Sequence, residues 1–100
     1  TFLPQVVVKS QYDAFLYTDL QDRLNRLEVT TVVITGVMTN LCCETTARAA
    51  FTRGFDVVFP IDCTAAYNLD LHNATILNLS HGFASPACGE AVTAAVKNAC

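Results

Sequence analysis

The sequence has few charged residues and no cluster of positive ones. Of its 100 residues, 6 are lysine or arginine and 9 are aspartate or glutamate, giving a formal net charge of -3. The absence of a basic run or stripe argues against binding to nucleic acid or to an anionic membrane. No apolar run approaches the roughly 20 residues that a membrane-spanning helix needs. The opening residues, TFLPQVVVKS, also lack the regions of a signal peptide, so we expect a cytoplasmic protein.

The cysteines lack the spacing of a metal site or a disulfide framework. The chain has five of them, at Cys42, Cys43, Cys63, Cys88 and Cys100. Because there is no CxxC pair, a zinc ribbon or a thioredoxin-type motif is excluded, and free thiols in a reducing cytoplasm are expected. His72 and His81 are nine residues apart in one predicted helix, without cysteine or carboxylate at ligand spacing. We therefore predict neither a metal site nor a cofactor.

Apolar runs and helical repeats alternate along the chain. The length supports one domain, residues 1–100. Strands are predicted at 6–8, 31–35, 55–61 and 84–87. Helices are predicted from a capping box at 18–21 to about residue 28, from an N-cap at Asn40 to Arg53, over 69–83 and from about residue 90. Gly54 is predicted to be a left-handed stop. This order predicts a three-layer α-β-α domain of the α/β class, Rossmann-like, with a mostly parallel sheet.

Polar groups fall where the predicted strands end. Lys9 ends the first strand, the turn 36–42 follows the second, and Asp62 follows the third. Ligands of such sheets bind beyond the carboxyl ends of the strands, so this convergence predicts a site. For Asp62 we favour a role in organising a loop. Lys9 is either a solvated surface charge or an ammonium that helps a thiolate form.

Two adjacent cysteines open the helix that follows the turn. A helix N-terminus favours the thiolate, although a buried cysteine more commonly acts as a small hydrophobic residue. Cys43 shares a helical line with Ala47 and Ala50, which suits packing on the sheet. Cys42 lies nearer the rim of the helix, so it is the better candidate for a nucleophile.

These residues resemble a known family. The stretch TGVMTNLCCETTARAAFTRGFDVVFPIDCTAA is very similar to the nucleophile region of the isochorismatase-like cysteine hydrolases. That group includes nicotinamidases, N-carbamoylsarcosine amidase-type enzymes, ureidoacrylate amidohydrolases and isochorismatase. The resemblance places the nucleophile on Cys42, and VVVKSQYDAF resembles the segment with the catalytic lysine, here Lys9. It also implies a cis peptide bond between Val37 and Met38, with an oxyanion hole formed by the N–H groups of Met38 and Cys42.

The same resemblance indicates which residues line the substrate pocket. Phe15 matches a position that often lines it, and we expect Tyr12 and Thr39 there too. Core packing is an equally good interpretation of the two aromatic residues. The implied reaction is hydrolysis of a C–N acyl bond in an amide, ureido or carbamoyl compound, through a thioester on Cys42. Alternatives are an isochorismatase-type vinyl ether hydrolase and a non-catalytic assembly subunit of the same fold.

One part of the family pattern has no counterpart here. The family's general acid/base is an aspartate upstream of the lysine segment, and no acidic residue precedes Lys9. The chain resembles only the C-terminal half of a family member, so the sheet is expected to be incomplete at its N-terminal side. The expected partners are a small-molecule substrate, the missing N-terminal half or a complementing chain, and further copies in a homo-oligomer. Residues 1–100 alone are expected to be inactive.

Overall fold

Helices and parallel strands alternate in a computed structural model that describes residues 4–99. The helices are α1 (Leu20–Arg26), α2 (Glu44–Thr52), α3 (Leu69–Gly82) and α4 (Gly89–Ala99). The strands are β1 (Thr31–Val33), β2 (Gly36–Val37), β3 (Asp56–Pro60), β4 (Thr64–Ala65) and β5 (Ser85–Ala87). A π-helical turn, Thr39–Cys43, leads directly into α2. The predicted α/β class with a parallel sheet is confirmed, and Cys100 lies outside the described residues.

The main sheet has the order β1-β3-β5, and each neighbouring pair is parallel. A second, two-stranded parallel pair of β2 and β4 was not predicted. It arises at Gly36, whose φ of 115° lies in the left-handed region that favours glycine. The chain bends there, so the predicted strand 31–35 ends at Val33 and its continuation pairs with β4 instead of β3.

The core lies between the sheet and the helices that follow its strands. Cys43, Ala47 and Ala50 of the π-helical turn and α2 are at most 4% exposed, as their common helical line predicted. Small side chains let this helix approach the sheet closely. Within the part of the chain that the structure describes, the core cluster also contains Phe15, Phe55, Val57, Phe59 and Leu79.

The C-terminal end of α2 agrees with the sequence pattern. Gly54 has a φ of 89°, as a left-handed stop requires. Its N–H donates to the carbonyl oxygen of Phe51, and the N–H of Phe55 donates to that of Ala50. The helix is thereby closed and β3 begins at Asp56. The predicted helix 69–83 is also confirmed, and the side chain of Asn68 caps its first turn.

Two predictions for the N-terminal region are wrong. Residues 6–8 form no strand, and Val6 and Val8 are 78% and 87% exposed. A strand needs a neighbour for its backbone hydrogen bonds, and residues 4–99 provide none for this segment. The capping box is also absent, because Asp19 is the N-cap of α1 and makes no side-chain cap. The Thr18 hydroxyl donates to the carbonyl oxygen of Ala14 and accepts the N–H of Leu20 at 3.3 Å, rather than that of Gln21 as a capping box requires.

The predicted N-cap at Asn40 is wrong as well. Met38, in an extended conformation, precedes the π-helical turn, and Asn40 lies inside that turn. None of the helices between residues 4 and 99 has the length and apolar character needed to cross a bilayer.

Candidate active site

Cys42 lies in the π-helical turn Thr39–Cys43, at the carboxyl-end side of the main sheet. Its side chain is partly exposed, whereas that of Cys43 is 4% exposed. The N–H of Cys43 donates to the carbonyl oxygen of Met38 at 3.1 Å, which closes the turn. The peptide bond between Val37 and Met38 is cis, at the bond that the family resemblance implies. The turn therefore presents one thiol toward solvent and packs the other into the core.

Lys9 and Cys42 meet although 33 residues separate them in the sequence. The Lys9 Nζ lies 3.4 Å from the Cys42 Sγ. The same ammonium donates to the carbonyl oxygen of Gln11 at 2.8 Å. An ammonium at this distance donates to the sulfur and stabilises negative charge that develops on it during a reaction. The two residues that the sequence singled out for chemistry thus form one contact.

Residues 9–14, here named the lysine segment, bring the ammonium to this position. The segment contains no helix or strand. The Thr46 hydroxyl, on α2, accepts the N–H of Ala14 at 3.0 Å and donates to the carbonyl oxygen of Tyr12 at 3.3 Å. Thr46 is buried, with 9% of its surface exposed. Sequence reasoning missed this contact, although Thr46 lies four residues after Cys42, on the same helix face.

Open clefts flank the Lys9–Cys42 contact on two sides. One has a volume of about 320 Å³ and includes Val37 and Thr46 in its wall. The other, of about 610 Å³, is lined by Tyr12 with its neighbours in the lysine segment. A larger concavity, of about 690 Å³, lies at the opposite, amino ends of the strands and contains neither Lys9 nor Cys42. A small molecule can therefore reach the sulfur from the carboxyl-end side of the sheet.

The structure places two of the expected pocket residues in the interior. Thr39 is 0% exposed and lines neither cleft. Phe15 is 6% exposed, and its ring stacks on that of Phe55 with centroids 6.1 Å apart. The expectation that these side chains line the pocket is therefore corrected, because both are buried within this chain. Tyr12 is 54% exposed and does face a cleft.

Thr39 instead belongs to a hydrogen-bond network that extends from the core to the surface. Its hydroxyl lies 2.9 Å from the Thr64 hydroxyl and 2.8 Å from the His72 Nδ1. The His72 Nε2 lies 2.9 Å from the carbonyl oxygen of Ile61, which can only accept, so this nitrogen carries a proton. The network joins the π-helical turn to β4, to α3 and to the chain after β3. His72 therefore has a role in holding the turn, which the sequence did not reveal.

Two of the thiols, Cys43 and Cys63, have raised pKa values. Burial raises the pKa of Cys43, the charge of Cys42 raises it further, and Lys9 lowers it in part. The pKa of Cys63 is also raised, by desolvation and by the Asp62 carboxylate. Both thiols are therefore harder to ionise than an ordinary cysteine, and Cys42 combines exposure with a neighbouring ammonium.

Asp62 organises a loop, as its position after β3 suggested. Its Oδ1 accepts the N–H of Gly89 at 2.7 Å, which satisfies an N–H at the start of α4. The Cys63 Sγ lies 3.7 Å from the same oxygen. Asp62 makes no hydrogen bond with Lys9 or Cys42 in the described part of the chain. It therefore does not belong to the group of polar side chains that the sequence predicted at the strand ends. Within residues 4–99, no three histidine, cysteine or acidic side chains are grouped as metal ligands.

The chain is similar in sequence to known proteins. The profile of the isochorismatase domain matches residues 4–91. Nicotinamidase 3 from Arabidopsis thaliana is 54% identical over 80 residues, which are 80% of this chain and 40% of that protein. The ureidoacrylate amidohydrolase RutB from Methylobacterium radiotolerans is 37% identical over 79 residues, covering 78% of this chain and 31% of that protein.

A solved structure extends the likeness to the fold. The cysteine hydrolase from Pseudomonas syringae pv. phaseolicola superposes with a TM-score of 0.91 at 26% identity, covering 98% of this chain and 53% of that one. The chain thus spans between about a third and a half of the lengths of these three proteins.

Proposed function

This chain belongs to the isochorismatase family, and from that premise we propose that the complete protein hydrolyses a C–N acyl bond through a thioester on Cys42. The main support for the proposal is the 3.4 Å separation between the Lys9 Nζ and the Cys42 Sγ. A paired, partly exposed thiol beside an open cleft has the features of an activated nucleophile. The identity with a nicotinamidase supports an amide substrate, and the likeness to RutB supports testing ureido compounds as well.

The proposed reaction has two stages. The Cys42 thiolate attacks the carbonyl carbon, and the oxygen that becomes negative is held by the N–H groups of Met38 and Cys42. Collapse of this intermediate breaks the C–N bond, and ammonia or an amine leaves with a proton from a general acid. Water then attacks the thioester, which releases the carboxylic acid and restores the thiol. Each backbone donor aimed at the oxyanion contributes about 3 kcal/mol to lowering the barrier.

The general acid/base is assigned to residues beyond this chain. In the family resemblance that group is an aspartate, and no carboxylate contacts Lys9 or Cys42 within the described residues. We propose that the remainder of the domain supplies it and closes the cleft around the substrate. Residues 1–100 alone should then show no turnover, and a second chain carrying the remainder should restore it. Further copies in a homo-oligomer and a cytoplasmic location are part of the same proposal.

Turnover and trapping of the intermediate test the proposal. The complete protein is incubated with nicotinamide and, separately, with ureidoacrylate, and ammonia release is followed together with intact mass. We expect turnover of at least one compound and a mass increase equal to the acyl group on the peptide that contains Cys42. Cys42→Ser should lower kcat/KM by at least about 1,000-fold. The matched control is Cys88→Ser, since that thiol is exposed and distant in sequence from the site.

Three outcomes would contradict the proposal. One is full turnover in Cys42→Ser. Another is hydrolysis of isochorismate with no acyl adduct, which would favour the vinyl ether reaction. The third is the absence of any turnover together with equal, slow iodoacetamide labelling of all cysteines, which would favour a non-catalytic subunit.

A further inference from the structure

We infer that Thr46 is a positioning residue that holds the Lys9 ammonium against the Cys42 sulfur. This inference rests on the proposed function, because it concerns how the reactive pair is maintained. Thr46 lies on α2, about one turn after Cys42, and borders the same cleft. Its single hydroxyl contacts the lysine segment twice, through the N–H of Ala14 and the carbonyl oxygen of Tyr12.

The lysine segment depends on this contact because little else joins it to α2. It has no helix or strand of its own, and the remaining hydrogen bonds of its backbone in the described chain are local. The Lys9 Nζ donates to Gln11, and the N–H of Leu16 donates to Asp13. Among the side-chain hydrogen bonds of residues 4–99, those of Thr46 are the ones that join the segment to α2.

The contacts form a closed ring. It runs from the Cys42 sulfur to the Lys9 ammonium, along the segment to Tyr12, across to the Thr46 hydroxyl, and back along the helix to Cys42. Because the backbone atoms bound by Thr46 are three and five residues from Lys9, a shift of the segment moves the ammonium. The attraction between two charges falls in inverse proportion to their separation, so the thiolate loses support as the ammonium withdraws.

A second explanation of the Thr46 contacts is purely structural. A buried hydroxyl that both donates and accepts a hydrogen bond stabilises the fold whether or not it positions Lys9. The two explanations differ in what the loss of the hydroxyl changes. If the role is structural only, the loss lowers the free energy of unfolding and leaves the chemistry of Cys42 as it was. If Thr46 positions Lys9, the loss changes how readily Cys42 reacts, and it does so only while Lys9 is present.

The test uses the complete protein with Thr46→Val, which keeps the shape of the side chain and removes the hydroxyl. The rate of alkylation of Cys42 by iodoacetamide is measured as a function of pH by peptide mass mapping, and kcat and KM are measured with the substrate found above. We expect alkylation at neutral pH to slow about tenfold and the pH–rate profile to change, because the ammonium no longer lies against the sulfur. A fall in kcat should exceed any rise in KM.

Matched variants distinguish a positioning role of Thr46 from a purely structural one. Thr46→Ser keeps the hydroxyl and should restore the rate to within about twofold of the unmodified protein. Thr52→Val removes a hydroxyl at the other end of α2, one that donates to the carbonyl oxygen of Ala49, and should leave the rate unchanged. In a Lys9→Met background, Thr46→Val should have no further effect on the pH–rate profile. If Thr46→Val does not fold, Thr46→Ala gives the same comparison with a smaller side chain.

The inference and the proposed function fail in different ways. Selective alkylation of Cys42 in the unmodified protein, together with an unchanged rate and profile in a folded Thr46 variant, would overturn the inference alone. An effect of Thr46→Val on the alkylation rate that persists in the Lys9→Met background would also overturn the inference alone. If Cys42 of the unmodified protein is no more reactive than Cys88, the proposed function is overturned and the inference with it.

Discussion

Cys42 and Lys9, which lie 3.4 Å apart, are held by regions of very different character. Cys42 lies in a turn whose neighbours Thr39 and Ala47 are both 0% exposed. Lys9 follows a segment in which Val6 and Val8 are 78% and 87% exposed. The turn is held by the core and by the hydrogen-bond network around the buried Thr39, whereas the lysine segment is held by a few polar contacts, chiefly those of the Thr46 hydroxyl.

This contrast suggests that stability and reactivity can be separated by substitution. Changes around the turn should lower the free energy of unfolding, because they disturb packed and fully bonded groups. Changes in the lysine segment should lower the reactivity of Cys42 with little effect on stability, because few buried contacts depend on that segment. The predictions below test this separation, beginning with the largest expected effect.

Of the substitutions that test this separation, removal of the Lys9 charge should have the largest effect. Lys9→Met keeps a long side chain and removes the ammonium 3.4 Å from the Cys42 Sγ. We expect kcat/KM of the complete protein to fall by about 1,000-fold. The free energy of unfolding should change by less than about 0.5 kcal/mol, as for other surface substitutions. Steady-state kinetics and urea unfolding measure the two quantities.

The matched control is Lys97→Met, because Lys97 is the other lysine of the chain and is exposed on α4. Its kinetics and stability should both be unchanged. Equal losses of activity in the two variants would contradict a specific role for Lys9. A large loss of stability in Lys9→Met would contradict the separation itself.

Phe15 tests the boundary between the two regions. It directly follows the lysine segment but is 6% exposed and stacked on Phe55. We expect Phe15→Ala to lower the free energy of unfolding by about 3 kcal/mol, since it leaves a cavity in the core. Tyr12→Ala, at a 54% exposed position, should change it by less than about 0.5 kcal/mol. Similar losses of unfolding free energy in the two variants, measured by urea unfolding, would contradict the division between the packed core and the lysine segment at Phe15.

The hydrogen-bond network around Thr39 should also matter for stability. Thr39→Val removes a hydroxyl that contacts both Thr64 and His72, and it leaves the His72 Nδ1 without this partner. We expect the free energy of unfolding to fall by about 2 kcal/mol, the usual cost of a buried polar group left unpaired. Thr45→Val is the control, because its hydroxyl makes no hydrogen bond within residues 4–99 and is partly exposed. Equal stability of the two variants in urea would contradict a structural role for the network.

What the sequence predicted correctly depends on local patterns. The line of Cys43, Ala47 and Ala50 repeats every three or four residues, so helical geometry alone places it on the sheet. Gly54 follows the helix directly and has the conformation of a stop. Lys9 was singled out by its place after an apolar run and by the family resemblance; in the structure it lies beside Cys42, and its catalytic role stays a prediction.

What the sequence did not predict depends on contacts between distant residues. The residues 6–8 have the composition of a strand, but a strand forms only beside a partner. Thr46 contacts residues 32 and 34 positions earlier in the chain, and Thr39 contacts His72 33 positions later. Neither hydroxyl differs in sequence from an ordinary threonine on a helix or in a turn. Their roles become visible only once the fold has brought the partners together.

The smallest predicted effect concerns alkaline pH and the thiol next to Cys42. Burial raises the pKa of Cys43 above its ordinary value of 9.0, so the folded protein retains this proton more tightly than the unfolded chain does. The free energy of unfolding should therefore fall as pH rises above 9.0, by at most about 1.4 kcal/mol per pH unit for this group. In Cys43→Ala this contribution is absent, so urea unfolding under reducing conditions should show a shallower alkaline loss. Cys88→Ala, at an exposed site, should retain the slope of the unmodified protein. If both variants retain it, burial at Cys43 does not resist ionisation, and the assignment of this thiol to the desolvated side of the turn loses its support.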